Sequence, residues 1–356
     1  MSAAVAASLA GGANKPRAMD LRCLSQCAGP RAAAVGGQVR IGGHHLAHVV
    51  EVSFHGAGGS IAVAPDAASA GRVVATVPAG AVSGRVRLTT GADADDRTNK
   101  PLRVVDAGEL PNHLGLRSGS VRPHRAYFDG RPKIRARYSF VAANPTDVVV
   151  EVVRARDGKV VQRTQIPDQR PFTRHRRAWN ALEADGDVAD DGRYRFRVGE
   201  QGRRLHGVGS VVLHSYRFPV RGSHGYGGYL QSFGAPRSGG RTHQGQDVYA
   251  ACGTPLGAAR GGRVQVRAYD PVLNGNFVVI DGRKTSADYL YAHMTSPSPR
   301  HQGRRVHTGQ RIGSVGKTGN ARTTPCHLHF EIWPRGYHHG SPIDPKPSLR
   351  RWDSWS

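Results

Sequence analysis

The chain of 356 residues contains few of the features that mark several large classes of protein. It has 4 cysteines and no Cys-x-x-Cys pair, which argues against a zinc site built on cysteine. No run of about 18 or more apolar residues occurs, so the sequence offers no candidate for a membrane-spanning helix. The length instead predicts two or three ordinary folded domains.

Acidic residues are also scarce, with 26 Asp and Glu compared with 50 Lys and Arg, which gives a formal net charge of +24. A surface with such an excess attracts polyanions, and the attraction weakens as salt rises. No recognition helix, zinc finger or base-stacking signature accompanies the charge, so we do not expect specific nucleic-acid binding. Anionic cell-wall polymers and a merely arginine-rich host composition are equally good explanations.

Glycine, by contrast, is abundant at 46 residues, and turn signals separate short segments of alternating polarity. Alternation with period 2 is typical of strands that have one buried and one wet face. Frequent Gly and Pro punctuation favours tight turns between such strands. The sequence therefore predicts an all-β protein.

Two short clusters of polar residues are candidates for a metal site. In the segment 326–333, a strand would place His327 and His329 on one face and apolar residues on the other. Upstream, His243 and Asp247 lie four residues apart among glycines, which let the backbone approach a site closely. Imidazole and carboxylate are zinc ligands, and a catalytic site needs three of them with one position open. Taken separately, each cluster is weak evidence, because a His-x-His pair is more often an ordinary strand with two exposed histidines and His-x-x-x-Asp recurs by chance in long chains.

Between the clusters lie His293 and a glycine-punctuated run at 306–319. With these features, residues 222–350 resemble the lysostaphin/LytM-type zinc metalloendopeptidases, which cut peptidoglycan peptides. The motifs that carry the resemblance are His-x-x-x-Asp at 243–247, Gly-Thr-Pro at 253–255, Tyr-Ala-His at 291–293, Gly-Gln-x-Ile-Gly at 309–313, His-Leu-His-Phe-Glu at 327–331 and Pro-Ile-Asp-Pro at 342–345.

Position by position, the resemblance makes His243, Asp247 and His329 the ligands of a Zn²⁺ cofactor. The activity it implies is hydrolysis of amide bonds in peptidoglycan cross-links or stem peptides. The first competing hypothesis is a non-catalytic cell-wall-binding scaffold or an activator of another wall hydrolase. A second is a polyanion-binding protein whose N-terminal modules carry the function.

The resemblance also implies roles for the two remaining histidines. His327 would be the general base that takes a proton from the metal-activated water. His293 would orient or stabilise the tetrahedral intermediate. The alternative for His293 is that it merely packs beside Tyr291.

Two further modules are predicted before the peptidase segment. Residues 20–107 contain short strands with Gly/Pro turns and resemble an IPT/TIG immunoglobulin-like module. Residues 108–220 alternate strictly and resemble the immunoglobulin-like domain of flagellar hook-capping proteins. The expected architecture is thus two immunoglobulin-like β-sandwiches followed by a mostly antiparallel β-sheet metallopeptidase domain of the duplicated hybrid motif type.

Residues 1–19 are expected to be a truncated signal or a disordered tail, because residues 1–13 look like the end of a secretory signal without its basic segment. We expect a secreted protein of the cell wall. For an exported chain, an even number of cysteines predicts two disulfides, one from Cys23 and Cys27 and one from Cys252 and Cys326. Four reduced thiols are the alternative.

Two more histidine clusters, His44–His48 and His338–His339, lie outside the quoted motifs. The first has no carboxylate partner in its segment. Both are predicted to be solvated loops rather than metal sites.

Overall fold

The computed structural model describes residues 15–131 and 133–356, so the predicted signal at residues 1–13 lies outside the described residues. Within them, regular structure consists almost entirely of strands, with one α-helix near the C-terminus. The fold class is all-β, as predicted. No described helix has the length and apolarity that crossing a membrane requires.

The first region packs two four-stranded sheets, ordered β1-β4-β8-β7 and β10-β9-β5-β6, beside a three-stranded sheet β11-β3-β2. Its strands are β1 (Arg17–Cys23), β2 (Cys27–Gly29), β3 (Ala32–Ala34), β4 (Gln38–His44), β5 (Val49–Gly56), β6 (Gly59–Val63), β7 (Ala67–Ser69), β8 (Arg72–Thr76), β9 (Ala81–Thr90), β10 (Asp95–Arg97) and β11 (Arg103–Val105). Ile41, Val52 and Leu88, from both four-stranded sheets, lie fully buried in one core. The His44–His48 segment is mostly exposed, as predicted.

The second region has a three-stranded sheet, β12-β14-β17, and a five-stranded sheet, β13-β19-β18-β15-β16. Its strands are β12 (Gly115–Arg122), β13 (Arg125–Tyr127), β14 (Ile134–Val141), β15 (Thr146–Arg154), β16 (Val160–Gln169), β17 (His175–Trp179), β18 (Gly192–Gly199) and β19 (His206–His214). Trp179 and Tyr194 join the two sheets in one core, with ring centroids 4.9 Å apart. The assignment of both N-terminal regions to immunoglobulin-like families, and the domain boundaries, stay predictions.

The third region is built on a seven-stranded antiparallel sheet, β20-β21-β28-β25-β24-β23-β26, with a two-stranded sheet β22-β27. Its elements are β20 (His224–Tyr226), β21 (Gln246–Ala250), β22 (Pro255–Gly257), β23 (Gly262–Asp270), β24 (Gly275–Gly282), β25 (Asp288–Met294), β26 (Arg305–Val306), β27 (Arg311–Ser314), β28 (His327–Trp333) and α1 (Lys346–Asp353). Short 3₁₀ turns lie at Ala107–Glu109, Tyr229–Gln231, Ser238–Gly240 and Gly319–Ala321. Leu349 and Trp352 of α1 pack into the core under the sheet with Phe330 of β28.

Both predicted disulfides are present. Cys23 pairs with Cys27, with 5.8 Å between their Cα atoms, and Cys252 pairs with Cys326 at 5.3 Å. Cys326 immediately precedes β28, and Cys252 lies just after β21. The second disulfide therefore links the two strands that carry the candidate metal ligands.

The C-terminal tail fastens the second region to the third. The Trp355 ring stacks on His214 with centroids 4.6 Å apart, and Arg351 pairs with Asp191 at 3.2 Å. The guanidinium of Arg260 lies 4.4 Å from the ring centre of Phe128. These contacts hold the middle sandwich against the side of the seven-stranded sheet.

Candidate metal centre

Strand pairing brings the two polar clusters together. In the register of β21 and β28, Asp247 lies directly opposite His329, and Ala292 of β25 lies opposite His329 on the other side. Directly opposed residues have Cβ atoms only about 5 Å apart. Residues that are distant in the chain therefore meet at the middle of the sheet, as the sequence predicts.

Three side chains place one potential ligand atom each at a common point. Nε2 of His243 lies 2.9 Å from Nδ1 of His329 and 3.2 Å from Oδ1 of Asp247, and the last two atoms are 2.9 Å apart. All three residues are buried. Among residues 15–131 and 133–356, this is the one group of three His, Cys, Asp or Glu side chains close enough to share an ion.

Hydrogen bonds on the far side of each ring fix the histidine tautomers. Nδ1 of His243 lies 2.9 Å from the carbonyl oxygen of Ser232, which only accepts, so Nδ1 carries the proton. Nε2 of His329 donates to the Glu331 carboxylate at 2.9 Å. Each ring therefore turns a bare nitrogen toward the other ring and toward the Asp247 carboxylate. Three acceptors this close repel one another unless a cation or a proton lies between them, and the donor set of two imidazoles and one carboxylate fits zinc.

The pKa values of His329 and Asp247 also reflect how close these groups lie to each other. Burial disfavours a charged His329, but its hydrogen bonds to Asp247 and Glu331 outweigh burial and raise the pKa of His329 to about 10. Burial likewise opposes ionisation of Asp247, yet the adjacent His243 and His329 imidazoles lower the pKa of Asp247 well below its usual value. Without metal, a proton on His329 neutralises the carboxylate. A divalent cation would displace that proton on binding.

The other two predicted site residues lie beside this group. Nδ1 of His327 donates to the carbonyl of Pro325 at 2.9 Å, and its Nε2 is 3.9 Å from Oδ1 of Asp247, too far for a hydrogen bond. Nδ1 of His293 donates to the carbonyl of Thr318 at 2.9 Å. Each ring is therefore left with a bare Nε2, since its only ring proton is engaged in a backbone hydrogen bond.

His293 differs from His327 in its environment. Burial, together with the nearby His329 and His327, lowers the pKa of His293 to about 3, so the ring stays neutral at any working pH. Its ring lies 4.9 Å from that of His327, whereas Tyr291 packs on Phe330. The hypothesis that His293 merely packs beside Tyr291 therefore does not account for its position.

Backbone geometry at two positions serves the site. His293 has a φ of 61°, a left-handed conformation that costs a non-glycine residue about 1–3 kcal/mol. A Cβ on Gly245 would lie 2.8 Å from Cε1 of His329 and would also clash with the carbonyl oxygen of Phe330. The predicted close approach of a glycine backbone is thus found at Gly245.

Sequence analysis gave no role to two residues that the structure places at the site. Glu331 is buried, and its second oxygen accepts a hydrogen bond from the indole of Trp333 at 2.6 Å. The sequence did indicate the position of Glu331, because the alternation that places His327 and His329 on one face of the strand continues to Glu331. His338, expected in a solvated loop, is exposed but forms part of the cleft wall, where its ring lies 3.8 Å from that of Tyr337.

A cleft of about 930 Å³ opens over the candidate metal group. Loops around the 3₁₀ turn Ser238–Gly240 form one wall, with Arg237 and Arg241, and the turn after β23 forms the other. The remaining wall residues include Leu230, Thr242, Tyr249, Asp270, Asn274, Asn320, Thr324 and Tyr337.

The segment that contains the candidate metal group matches a known protein family. Residues 241–345 match the model described as peptidase family M23. The peptidoglycan DD-endopeptidase ShyC of Vibrio cholerae is 39% identical over 100 residues, which cover 28% of this chain and 22% of that protein. The L-Ala–D-Glu endopeptidase of Bacillus subtilis is 28% identical over 151 residues, covering 40% and 44%. The chain thus spans less than half the length of either relative.

Among solved structures, the catalytic domain of lysostaphin from Staphylococcus simulans is 28% identical, with a TM-score of 0.32. The match covers 36% of this chain and 92% of that domain. All five predicted site residues lie within the segment matched by the family model.

Proposed function

We propose that the protein is a zinc metalloendopeptidase that hydrolyses amide bonds in peptidoglycan cross-links or stem peptides, on the premise that residues 241–345 match the model of peptidase family M23. The observation that carries the proposal is the convergence of three buried acceptor atoms, from His243, Asp247 and His329, on one point. The two curated relatives described above are both named as endopeptidases, and one is named for peptidoglycan.

In the proposed mechanism, His243, Asp247 and His329 would hold Zn²⁺, and the cleft would hold the peptide over them. The chemistry that zinc supplies is polarisation of the scissile carbonyl and a lowered pKa of water at the site. His327 takes a proton from the attacking water at its bare Nε2 and passes it to the leaving amine. The carbonyl of Pro325 keeps its ring in the tautomer that this step needs.

The role of His293 depends on which of its ring nitrogens carries the proton. A role as a hydrogen-bond donor to the tetrahedral intermediate would need a proton at Nε2, but the Thr318 carbonyl holds the single proton of the neutral ring at Nδ1. A role as an acceptor suits this tautomer. The predicted role of orienting or stabilising the tetrahedral intermediate therefore requires His293 to act through an accepted hydrogen bond, for example from a hydroxyl group of the intermediate.

We further propose that the protein is secreted and acts in the cell wall, where anionic polymers are partners for its excess of basic residues. Two disulfides fit an oxidising compartment outside the cytoplasm. A net charge of +24 raises the local concentration of an oppositely charged matrix around the enzyme.

The test is digestion of purified sacculi by the zinc-loaded full chain, followed by mass spectrometry of the released fragments. We expect new amino termini at one kind of peptide bond, loss of that activity with a chelator and its return with zinc. The matched control is His327→Ala, which should bind sacculi equally well but release little. Wild-type protein that binds sacculi and creates no new termini would contradict the proposal in favour of the scaffold hypothesis.

A further inference from the structure

The outer surface of the three-stranded sheet β12-β14-β17 is unusually basic. Four exposed arginines lie on it: Arg122, Arg135, Arg137 and Arg176. In the strand register, Arg122 is directly opposite Arg135, and Arg137 is directly opposite Arg176. We call this surface the arginine face.

The arginine face is not neutralised within its own sheet. The three strands contain no Asp or Glu. Among the described residues, none of the four arginines lies within ion-pair distance of a carboxylate, although eleven other Arg or Lys residues do. Like charges placed directly opposite on neighbouring strands destabilise a sheet. Two such pairs on one face are unfavourable for folding, and an anionic ligand would remove the repulsion.

The spacing of the charges fits a linear ligand. The two arginine pairs are two residues apart along β14 and lie on opposite sides of it, so their centres are about 8 Å apart. Each pair offers two planar guanidinium groups, which bind phosphate oxygens with paired hydrogen bonds. A distance of this size is comparable to that between successive phosphates in an extended phosphodiester chain, so each pair can bind one phosphate.

The surroundings favour a polymer without bases. Ser118, Ser120 and Ser139 lie on the same face and supply hydroxyl groups. The aromatic residues of β14, Tyr138 and Phe140, point into the core, so the strand offers no ring on which a base could stack. Hydroxyl groups suit the polyol units of a polymer better than they suit nucleobases.

We propose that the arginine face is a binding site for a linear polyol-phosphate polymer. Its assignment to the bacterial wall rests on the proposed function, whereas binding of the polymer itself does not. A second basic surface, the cleft around Arg195 and Arg197, is a weaker candidate because it also contains Glu151, paired with Arg163 at 3.0 Å, and Glu200. That cleft provides a matched control in the same sandwich.

The experiment compares two full-length double variants, Arg137→Gln/Arg176→Gln and Arg195→Gln/Arg197→Gln, which lose the same charge. The probe is a fluorescent synthetic poly(glycerol phosphate) oligomer, titrated at several salt concentrations. We expect about tenfold weaker binding for the first variant at low salt, and a salt slope reduced by about 0.7, the value for one lost phosphate contact on a single strand. The control should stay within about twofold of wild type.

Further measurements of thermal stability, peptide cleavage and oligonucleotide binding distinguish a specific polyol-phosphate site from a general charge effect or a nucleic-acid surface. The first variant should have an unchanged or higher Tm, because a like-charge pair is relieved, and unchanged cleavage of a short neutral peptide. Equal losses in both variants would show that only net charge matters, and tighter binding of a single-stranded oligonucleotide than of the polyol-phosphate oligomer would indicate a nucleic-acid surface. Either result overturns the proposal. A protein that cuts no peptide but binds the oligomer through this face would instead overturn only the proposed function.

Discussion

Polar and buried apolar residues alternate in both strand β28 and strand β14, but the polar faces of the two strands differ. In β28, His327, His329 and Glu331 share one face, and in β14, Arg135 and Arg137 share one. Both strands are central in their sheets and bury the intervening apolar residues. The polar face of β28 is covered by loops and is buried, whereas that of β14 is exposed. Alternation thus predicts which residues share a face, while the elements around the face decide what it does.

Burial explains why the polar side chains of β28 have fixed orientations and those of β14 do not. A buried polar atom must find a partner, so each imidazole of β28 is fixed by a hydrogen bond to a carbonyl or a carboxylate. Water satisfies the arginines of β14, and no described contact fixes their orientation. We therefore expect substitutions on β28 to affect chemistry strongly and substitutions on β14 to affect binding of a polymer.

The largest effect should come from the candidate ligands. His329→Ala, like His243→Ala or Asp247→Ala, should reduce peptide hydrolysis to background, because a site with two protein ligands no longer holds the ion. Arg135→Ala, at a central exposed position of β14, should leave cleavage of a short peptide unchanged. Initial rates on a synthetic cross-link peptide check both. Substantial hydrolysis by the variants at His243, Asp247 or His329 would show that these side chains do not hold a catalytic metal ion.

The next effect separates the two histidines of β28. His327→Ala should lower kcat by two or more orders of magnitude, as loss of general-base help typically does. The zinc content should remain that of wild type, because its Nε2 lies outside the ligand triangle. Rates and metal content measured on the same preparation test this. Loss of the metal would instead make His327 a ligand.

A smaller effect is expected from Glu331, which contacts the candidate ligand His329 but lies outside the candidate ligand group. Glu331→Gln keeps an oxygen that can accept from the imidazole, but it removes the charge. Zinc affinity should fall about 10- to 100-fold, as for other residues that support metal-bound histidines. Competition with a chromogenic chelator measures it, and wild-type affinity would show that Glu331 serves only packing.

The smallest effect on hydrolysis should come from the disulfides. Cys252→Ser/Cys326→Ser should lower the free energy of unfolding by about 2–4 kcal/mol while retaining most activity at low temperature. Cys23→Ser/Cys27→Ser should cost less, because it opens a loop with a sequence separation of 4 rather than 74. Denaturant titrations compare them, and a larger cost for the short loop would contradict this account.

The sequence allowed prediction of the all-β fold and both disulfides, and it identified the residues that meet at the candidate site. It succeeded because alternation, cysteine pairing and the resemblance to a known family each act on short segments. It gave no role to Glu331, although the same alternation includes it. It also could not show that backbone carbonyls of Ser232, Pro325 and Thr318 fix the imidazole tautomers, because those loops reach the site only through the tertiary fold.

The packing between regions was equally inaccessible to sequence analysis. α1 places its Trp352 in the core under the seven-stranded sheet, and no local pattern specifies that contact. The stacking of Trp355 on His214 joins residues 141 positions apart. Arginines of β12, β14 and β17 appeared in the sequence only as dispersed charge, because strand register alone brings them together.

The central claim is that three side chains, and not four, hold one zinc ion. Native mass spectrometry of zinc-loaded, gel-filtered protein tests it directly. We expect one zinc on wild type and on His327→Ala, and none on His243→Ala, Asp247→Ala or His329→Ala. Zinc retained by all three ligand variants, or lost from His327→Ala alone, would contradict it.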